Sequence, residues 1–314
     1  MQVDRPILVT GCPRSGTTWT GNVIGAAREV FLIYEPFNDD VGARLRLPER
    51  FMRLTDGNSA PHRQEIDDLI ALGRLSRRSA LAMRGIAERW RPGEKRYTPG
   101  WLAFRRLHSQ GQDFFGPRRV CIKDPIAFYS SEWLADTYDA QVIVMVRHPC
   151  SVIASYLSLG WESEVEAMLP HPVPEGFAGL RDEIEARNGP VQDRLTDLIL
   201  QWKLFTAETL DLQRRRPDWT YILHDDLCLR PLHYFEAIFA KLGLSFTSDI
   251  ADKVRRESSG TKNAANGKPV QHRHERDSRS VIDAWQEKLP GEIAERILRE
   301  TAELWEEAQR RLLT

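Results

Sequence analysis

Residues 5–21 read RPILVTGCPRSGTTWTG. The apolar run Ile7–Val9 is typical of a short buried strand, and a helical pattern follows over Thr18–Arg28. Between them lies a loop of small and hydroxyl-bearing residues with one arginine, Arg14. A helix N-terminus presents unpaired N–H groups and a partial positive charge, so a loop of this kind is suited to holding an anion.

The strand-and-helix pattern of this segment recurs along the chain. Further short apolar runs, each ending at polar residues or proline, are Val30–Tyr34, Val120–Ile122, Val142–Val146 and Tyr221–Leu223. Helical patterns lie between most of the runs, at Thr18–Arg28, Ser130–Tyr138, Ser151–Leu159 and Val191–Arg215. This alternation predicts an α/β fold, a three-layer sandwich whose central parallel sheet has about five strands, similar to that of P-loop NTPases.

Two long insertions interrupt the pattern, over about residues 38–117 and 160–190. Neither is distinctive enough for a second domain, so we expect one domain over residues 1–314. Ligands of open α/β sheets bind outside the carboxyl ends of the strands, and the insertions are expected to cap that edge on the substrate side. Aromatic residues in the first insertion are candidates both for an acceptor pocket and for the core: Trp101, Phe104, Phe114 and Phe115.

The composition excludes some classes of protein. The 314 residues carry a formal net charge of −1, whereas a general nucleic-acid binder carries a basic excess. The four cysteines are far apart, without the paired spacing of a zinc site, so we expect a reduced compartment and no metal. No apolar run reaches the length of a membrane span, and no signal-peptide pattern is present. We therefore expect a cytoplasmic protein without a nucleic-acid partner. The sequence does not indicate its oligomeric state.

The loop glycines have the spacing of a nucleoside triphosphate loop, but one residue of that loop is missing. The GxxxxGK[ST] loop has a lysine after its second glycine, followed by a hydroxyl residue that binds Mg²⁺. Gly11 and Gly16 have this spacing, but Thr17 stands where the lysine would be. The positive charge comes instead from Arg14. A metal-dependent nucleotide site is thus disfavoured, and a P-loop kinase, with Asp124 as its one possible metal ligand, stays as an alternative.

Three segments of the chain resemble one known family. Residues 13–19, PRSGTTW, resemble the 5′-phosphosulfate loop of sulfotransferases that use 3′-phosphoadenosine 5′-phosphosulfate (PAPS). Residues 147–156, RHPCSVIASY, resemble the family's 3′-phosphate segment, in which an arginine at a strand end precedes a helix serine by eight residues. Residues 223–227, LHDDL, followed by Pro231, are similar to the family's YEDL segment. The matches follow the family's order and span most of the chain.

The resemblance implies PAPS as co-substrate, adenosine 3′,5′-bisphosphate (PAP) as product, and no metal. It implies that Arg147 and Ser155 hold the 3′-phosphate, that Trp19 stacks on adenine, and that His224 also binds the donor. An arginine suits a phosphate because its planar fork can donate two hydrogen bonds. The 5′-phosphosulfate is assigned to Pro13, Arg14, Ser15, Gly16, Thr17 and Thr18. A C-terminal basic loop of the family corresponds only loosely to Arg256, Lys262 or Lys268.

Transfer to a hydroxyl needs a base and stabilisation of the leaving phosphate. Carbohydrate-type and bacterial members of the family carry a glutamate after the second strand, which the resemblance carries onto Glu35 in YEPF. Arg14 is expected to stabilise the leaving phosphate, and Lys123 to contact the sulfuryl group. The cytosolic phenol branch has a histidine after that lysine, but this chain has Asp124, which becomes the reserve base.

The identity of the acceptor stays open at this point. The similarity to carbohydrate-type members favours a hydroxyl of a glycan, a glycolipid or a small metabolite. A non-catalytic module that binds PAP is the second alternative to a sulfotransferase, beside the kinase.

Overall fold

The computed structural model describes residues 5–41, 45, 47–71, 119–186, 193–259 and 278–312. The larger part of the first predicted insertion lies outside these ranges, together with its four candidate aromatic residues. Lys262 and Lys268 also lie outside them, whereas Arg256 is described and exposed.

Five strands form one parallel sheet in the order β2-β3-β1-β4-β5. They are β1 (Ile7–Gly11), β2 (Val30–Tyr34), β3 (Arg119–Lys123), β4 (Gln141–Val146) and β5 (Thr220–Leu223). The sheet is flanked by helices, and the predicted α/β fold with a five-stranded parallel sheet is confirmed. The strands are buried almost throughout, which explains why they read as unbroken apolar runs rather than as alternating patterns.

The helices of the described residues lie between successive strands and after β5. They are α1 (Thr17–Ile24), α2 (Arg63–Ala71), α3 (Ser131–Tyr138), α4 (Pro149–Leu159), α5 (Ala178–Glu185), α6 (Arg194–Arg215), α7 (His224–Leu229), α8 (Pro231–Leu242), α9 (Ser248–Ser258), α10 (Ser278–Ile282) and α11 (Gly291–Leu312). Short 3₁₀ helices cover Asp39–Val41, Ala60–His62, Phe128–Ser130 and Val165–Ala167.

Several predicted helix boundaries are wrong, among them the start of the helix predicted at Ser151. Helix α4 begins at Pro149 rather than at Ser151, because proline has the backbone φ of a helix and lacks the N–H that a first turn leaves unpaired. Ser155 consequently lies nearly two turns into the helix.

The chain divides into two compact units. One contains residues 1–10 and 24–142, and with them β2, β3 and most of β1. The other contains residues 11–23 and 143–314, and with them β5, nearly all of α1 and the larger part of β4. Within the described residues, no helix combines the length and the apolar character needed to cross a membrane.

Candidate functional site

The loop that joins β1 to α1 depends on two glycines with a positive φ. Gly11 has φ 134° and lies against the backbone of Met145, so a Cβ atom there would overlap the Met145 carbonyl oxygen. Gly16 has φ 99°, and a Cβ atom there would overlap the imidazole ring of His224. Only glycine suits these two positions, because a side chain would be disfavoured by the positive φ and would overlap the neighbouring atoms. We call residues 11–18 the anion loop.

Arg14 connects the anion loop to β4 and α4. Its backbone is left-handed, with φ 72°, and its Nε donates a hydrogen bond to Ser155 Oγ at 2.8 Å. Arg147 Nη1 donates to the carbonyl oxygen of Arg14 at 2.9 Å. Three residues that the sequence assigned to two different anionic groups are therefore in direct contact.

Ser15 contributes a buried hydroxyl group to the loop. Its side chain is fully buried, and its Oγ has no hydrogen-bond partner among the residues that the structure describes. Its backbone N–H is used, because it donates to the carbonyl oxygen of Cys12 at 3.1 Å. A buried hydroxyl without a partner is costly, so this one fits a site in which a ligand oxygen completes its hydrogen bonding.

His224 lies at the first position of α7, with its ring against Gly16. Burial and, to a lesser extent, the positive charge of Arg147 lower the pKa of His224 to about 4, against the opposing effect of Asp225. The imidazole is therefore neutral at physiological pH. It can donate one hydrogen bond to a neighbouring oxygen, but it adds no charge to the anion loop.

The remaining predicted donor residues belong to the loop and to α1. Pro13 and Thr17 are buried, and Thr18 is half-buried. Trp19, also half-buried, packs edge-on against Phe235 at 5.2 Å between ring centroids. Its Nε1 donates to Glu257 Oε2 at 3.1 Å, so the indole is held between α8 and α9.

A second cluster of charged residues lies in the other unit, where β2 and β3 end. Tyr34 pairs in register with Lys123, and Glu35 follows with a left-handed φ of 45°. The N–H of Glu35 donates to the Lys123 carbonyl oxygen at 2.8 Å, and Lys123 Nζ donates to Glu35 Oε1. Asn38 Nδ2 donates to Glu35 Oε2 at 2.6 Å. The structure thus brings two predicted catalytic residues, Glu35 and Lys123, into an ion pair.

Asp124, the reserve base, is fully buried beside this ion pair. Its two oxygens accept hydrogen bonds from the N–H groups of Phe37, at 2.6 Å, and Ile126, at 2.9 Å. Burial and, to a lesser extent, the nearby Glu35 raise the pKa of Asp124 to about 7, against the opposing effects of the two N–H donors and Lys123. Both oxygens hold backbone groups, so Asp124 is built to fix the turn after Glu35.

No group of three or more His, Cys, Asp or Glu side chains within the described ranges could hold a metal ion. A model of the sulfotransferase family matches residues 6–248. The chain belongs to the sulfotransferase family.

Solved structures of sulfotransferases resemble this one at low sequence identity. The sulfotransferase domain from the curacin biosynthetic pathway is 14% identical, with 96% of this chain and 99% of that chain covered and a TM-score of 0.47. A sulfotransferase from Alicyclobacillus acidocaldarius is 15% identical over 99% and 96% of the two chains, with a TM-score of 0.46. A mouse sulfotransferase crystallised with PAP is 13% identical over 98% and 85%, with a TM-score of 0.40. No curated protein sequence matches the chain.

Sequence reasoning missed several residues that surround the sulfotransferase's charged groups. Trp161 lies with its ring 5.3 Å from the Arg14 guanidinium carbon, and Tyr34 lies with its ring 4.0 Å from Lys123 Nζ. Asn38 binds the carboxylate of Glu35. Tyr34 is the first residue of the quoted YEPF stretch and Asn38 directly follows it, so their positions gave a weak signal. Trp161 opens the second insertion, where the sequence carries no sign of the contact.

Proposed function

We propose that this sulfotransferase transfers the sulfuryl group of PAPS to a hydroxyl group of a glycan, a glycolipid or a small metabolite. The observation that supports the donor best is the contact of Arg14 with both Ser155 and Arg147. PAPS carries anionic groups at both ends of its ribose, so its binding site needs two sets of donors close together. We further propose that residues 1–314 act as one sulfotransferase domain in which the two insertions contribute to acceptor binding.

Each end of the donor has a set of residues suited to it. The 5′-phosphosulfate is assigned to the anion loop, where Arg14 supplies charge and Ser15 an unused buried hydroxyl. The 3′-phosphate is assigned to Arg147 and Ser155. Charge-assisted hydrogen bonds from arginine to phosphate are roughly twice as strong as neutral ones. Two arginines therefore supply the charge that a lysine and Mg²⁺ supply in nucleoside triphosphate loops.

The transfer step is a displacement at sulfur. The acceptor oxygen forms a new bond to sulfur while the bond between sulfur and the phosphate oxygen breaks, and the acceptor proton passes to Glu35. The leaving oxygen becomes part of the 5′-phosphate of PAP, and its negative charge is stabilised by Arg14, while Lys123 contacts the sulfuryl group. Sulfuryl transfer resembles phosphoryl transfer in its dependence on alignment and charge stabilisation. The hydrogen bonds from Lys123 and Asn38 fix the carboxylate, and each of its oxygens keeps a lone pair for the proton.

The donor assignment is tested by calorimetry with PAP, with and without Mg²⁺. We expect tight binding that Mg²⁺ does not change, and a loss of about tenfold or more in affinity for Arg14→Ala and Arg147→Ala. Arg216→Ala is the matched control, since Arg216 also lies over a tryptophan, Trp219, outside the anion loop. Binding of ATP with Mg²⁺ in place of PAP would favour the kinase and overturn the proposal.

The base is tested with Glu35→Gln and a panel of hydroxyl acceptors with radiolabelled PAPS. We expect transfer to fall by about a hundredfold or more while PAP affinity stays within about threefold, because general-base catalysis contributes 10²–10⁴-fold. Full activity of the variant would remove Glu35 as the base. Tight PAP binding without transfer to any acceptor would favour the non-catalytic module instead.

A further inference from the structure

We propose that Trp161 is a positioning residue that holds the Arg14 guanidinium in place for the donor. The inference rests on the proposed function, because it concerns how the arginine of the anion loop is kept in its binding position. Trp161 lies in the same unit as the anion loop.

Three contacts fix three parts of Arg14. Its carbonyl oxygen accepts a hydrogen bond from Arg147, its Nε donates to Ser155, and its guanidinium carbon lies 5.3 Å from the centroid of the Trp161 ring. The backbone of Arg14 is left-handed, a conformation that a residue with a side chain holds only when its surroundings enforce it. The Trp161 contact acts on the charged end of the side chain.

Trp161 is itself held by contacts of its backbone and of its ring. Its backbone N–H donates to the carbonyl oxygen of Tyr156 at 3.1 Å, and its own carbonyl oxygen accepts from Arg194 Nη2 at 2.6 Å. Its ring meets the Tyr156 ring edge-on at 5.7 Å and 87°. The tyrosine is in turn held by Gln201, whose Nε2 donates to its hydroxyl group at 2.9 Å. Because Trp161 is fixed by these contacts, its ring can restrict the position of the Arg14 guanidinium.

An aromatic face suits this task better than a carboxylate would. Arg147 already places a second positively charged side chain against the backbone of Arg14. The electron-rich face of tryptophan attracts a guanidinium group. Unlike a carboxylate, it does not neutralise the charge that the anionic donor requires. Transfer rates are sensitive to misplacement of about 1 Å, so a loosened Arg14 should slow the chemical step as well as weaken binding.

The first test compares two variants of similar bulk. Trp161→Leu removes the aromatic face, and Trp161→Phe keeps one. We expect Trp161→Leu to lower kcat for sulfuryl transfer and PAP affinity by about tenfold each, which lies within the range for a cation–π contact. Trp161→Phe should stay within about threefold of the parent protein in both measurements. Equal losses in the two variants would overturn the proposal, because the aromatic face would then be irrelevant.

The matched control is Trp219→Leu, which removes an arginine–tryptophan contact of similar geometry, with Arg216 at 5.2 Å. Measured per amount of folded protein, this variant should retain parental PAP affinity. A tenfold loss of PAP affinity in Trp219→Leu would show that any lost tryptophan disturbs the protein, and it would overturn the specific role of Trp161.

A double-mutant cycle separates this inference from the proposed function. If Trp161 acts through Arg14, Trp161→Leu should change PAP affinity by less than about twofold in an Arg14→Ala background, since the group it positions is gone. A full tenfold effect in that background would overturn the positioning role. The proposed function fails separately, if Arg14→Ala alone leaves PAP binding unchanged.

Discussion

Gly16 is the residue whose replacement tests the geometry of the anion loop most directly. We predict that Gly16→Ala lowers PAP affinity by about tenfold or more, because the new methyl group must displace the His224 ring and the loop beside it. It should also cost about 1–3 kcal/mol of unfolding free energy. Calorimetry with PAP and denaturant unfolding measure the two effects.

The control for this prediction is Gly243→Ala. Gly243 also has a positive φ, of 67°, but a Cβ atom there meets no heavy atom within 4 Å. We expect that variant to lose about 1–2 kcal/mol from backbone strain alone and to bind PAP normally. Equal PAP affinities in the two variants would contradict the role given to the contact between Gly16 and His224.

His224 predicts a dependence of stability on pH. Its pKa is about 4 in the folded protein, below its ordinary value of 6.5. Between these pH values, therefore, the unfolded chain binds a proton at His224 and the folded protein does not. Stability should therefore fall as the pH is lowered from 6.5 towards 4. His224→Gln should lose less stability over this window than the parent protein does. Denaturant unfolding at half-unit pH intervals checks the difference, and parallel curves for the two proteins would contradict it.

At the scale of elements, Asp124 at the end of β3 predicts that stability changes with pH in the opposite direction to the effect of His224. Burial raises the pKa of Asp124 from 3.8 to about 7, so the folded protein retains a proton that the unfolded chain releases. Stability should fall as the pH rises from about 4 to 7, and Asp124→Asn should remove this part of the slope.

The asparagine variant should also be less stable at every pH in that window. An amide offers one acceptor oxygen, whereas the carboxyl group serves both Phe37 and Ile126. The same unfolding series measures both effects. An unchanged slope in Asp124→Asn would show that the Asp124 carboxyl titrates near its ordinary pKa.

The sequence predicted the strands well and their ends less well. Val30–Tyr34 is observed as predicted, since every residue in it is apolar or aromatic. β3 and β4 each include polar residues that the apolar runs omitted, Arg119, Lys123 and Gln141, because a backbone ladder continues past the last apolar side chain. α1 ends at Ile24 rather than Arg28, directly before a glycine that disfavours the helix.

The candidate site was predictable only where its residues are neighbours in the chain. The anion loop is contiguous, and its glycines and arginine can be recognised together. The contact between Arg14 and Ser155 spans 141 positions, and that between Lys123 and Glu35 spans 88. The family resemblance gave each of these residues a role, but it predicted neither contact. Trp161 had no counterpart in that resemblance, so its contact with Arg14 became visible only through packing.

At the scale of the whole molecule, a net charge of −1 does not conflict with the proposed binding of a polyanion. The positive groups at the anion loop are held by specific contacts, so the site needs no overall basic excess. All residues to which we assign PAP belong to the unit with residues 11–23 and 143–314, whereas Glu35 and Lys123 belong to the other. Binding of PAP alone should therefore stabilise mainly the unit of residues 11–23 and 143–314.

Hydrogen exchange measured by mass spectrometry tests this difference between the units. A ligand at a hundredfold excess over its Kd stabilises the state that binds it by about 2.7 kcal/mol, and exchange slows most where segments open locally without it. We predict that PAP slows exchange in peptides covering residues 11–23 and 145–161, and changes peptides covering 30–38 and 119–126 little. In Arg14→Ala the same PAP concentration should protect neither set. Strongest protection over residues 30–38 would contradict the donor assignment, because PAP would then bind beside Glu35 without the anion loop.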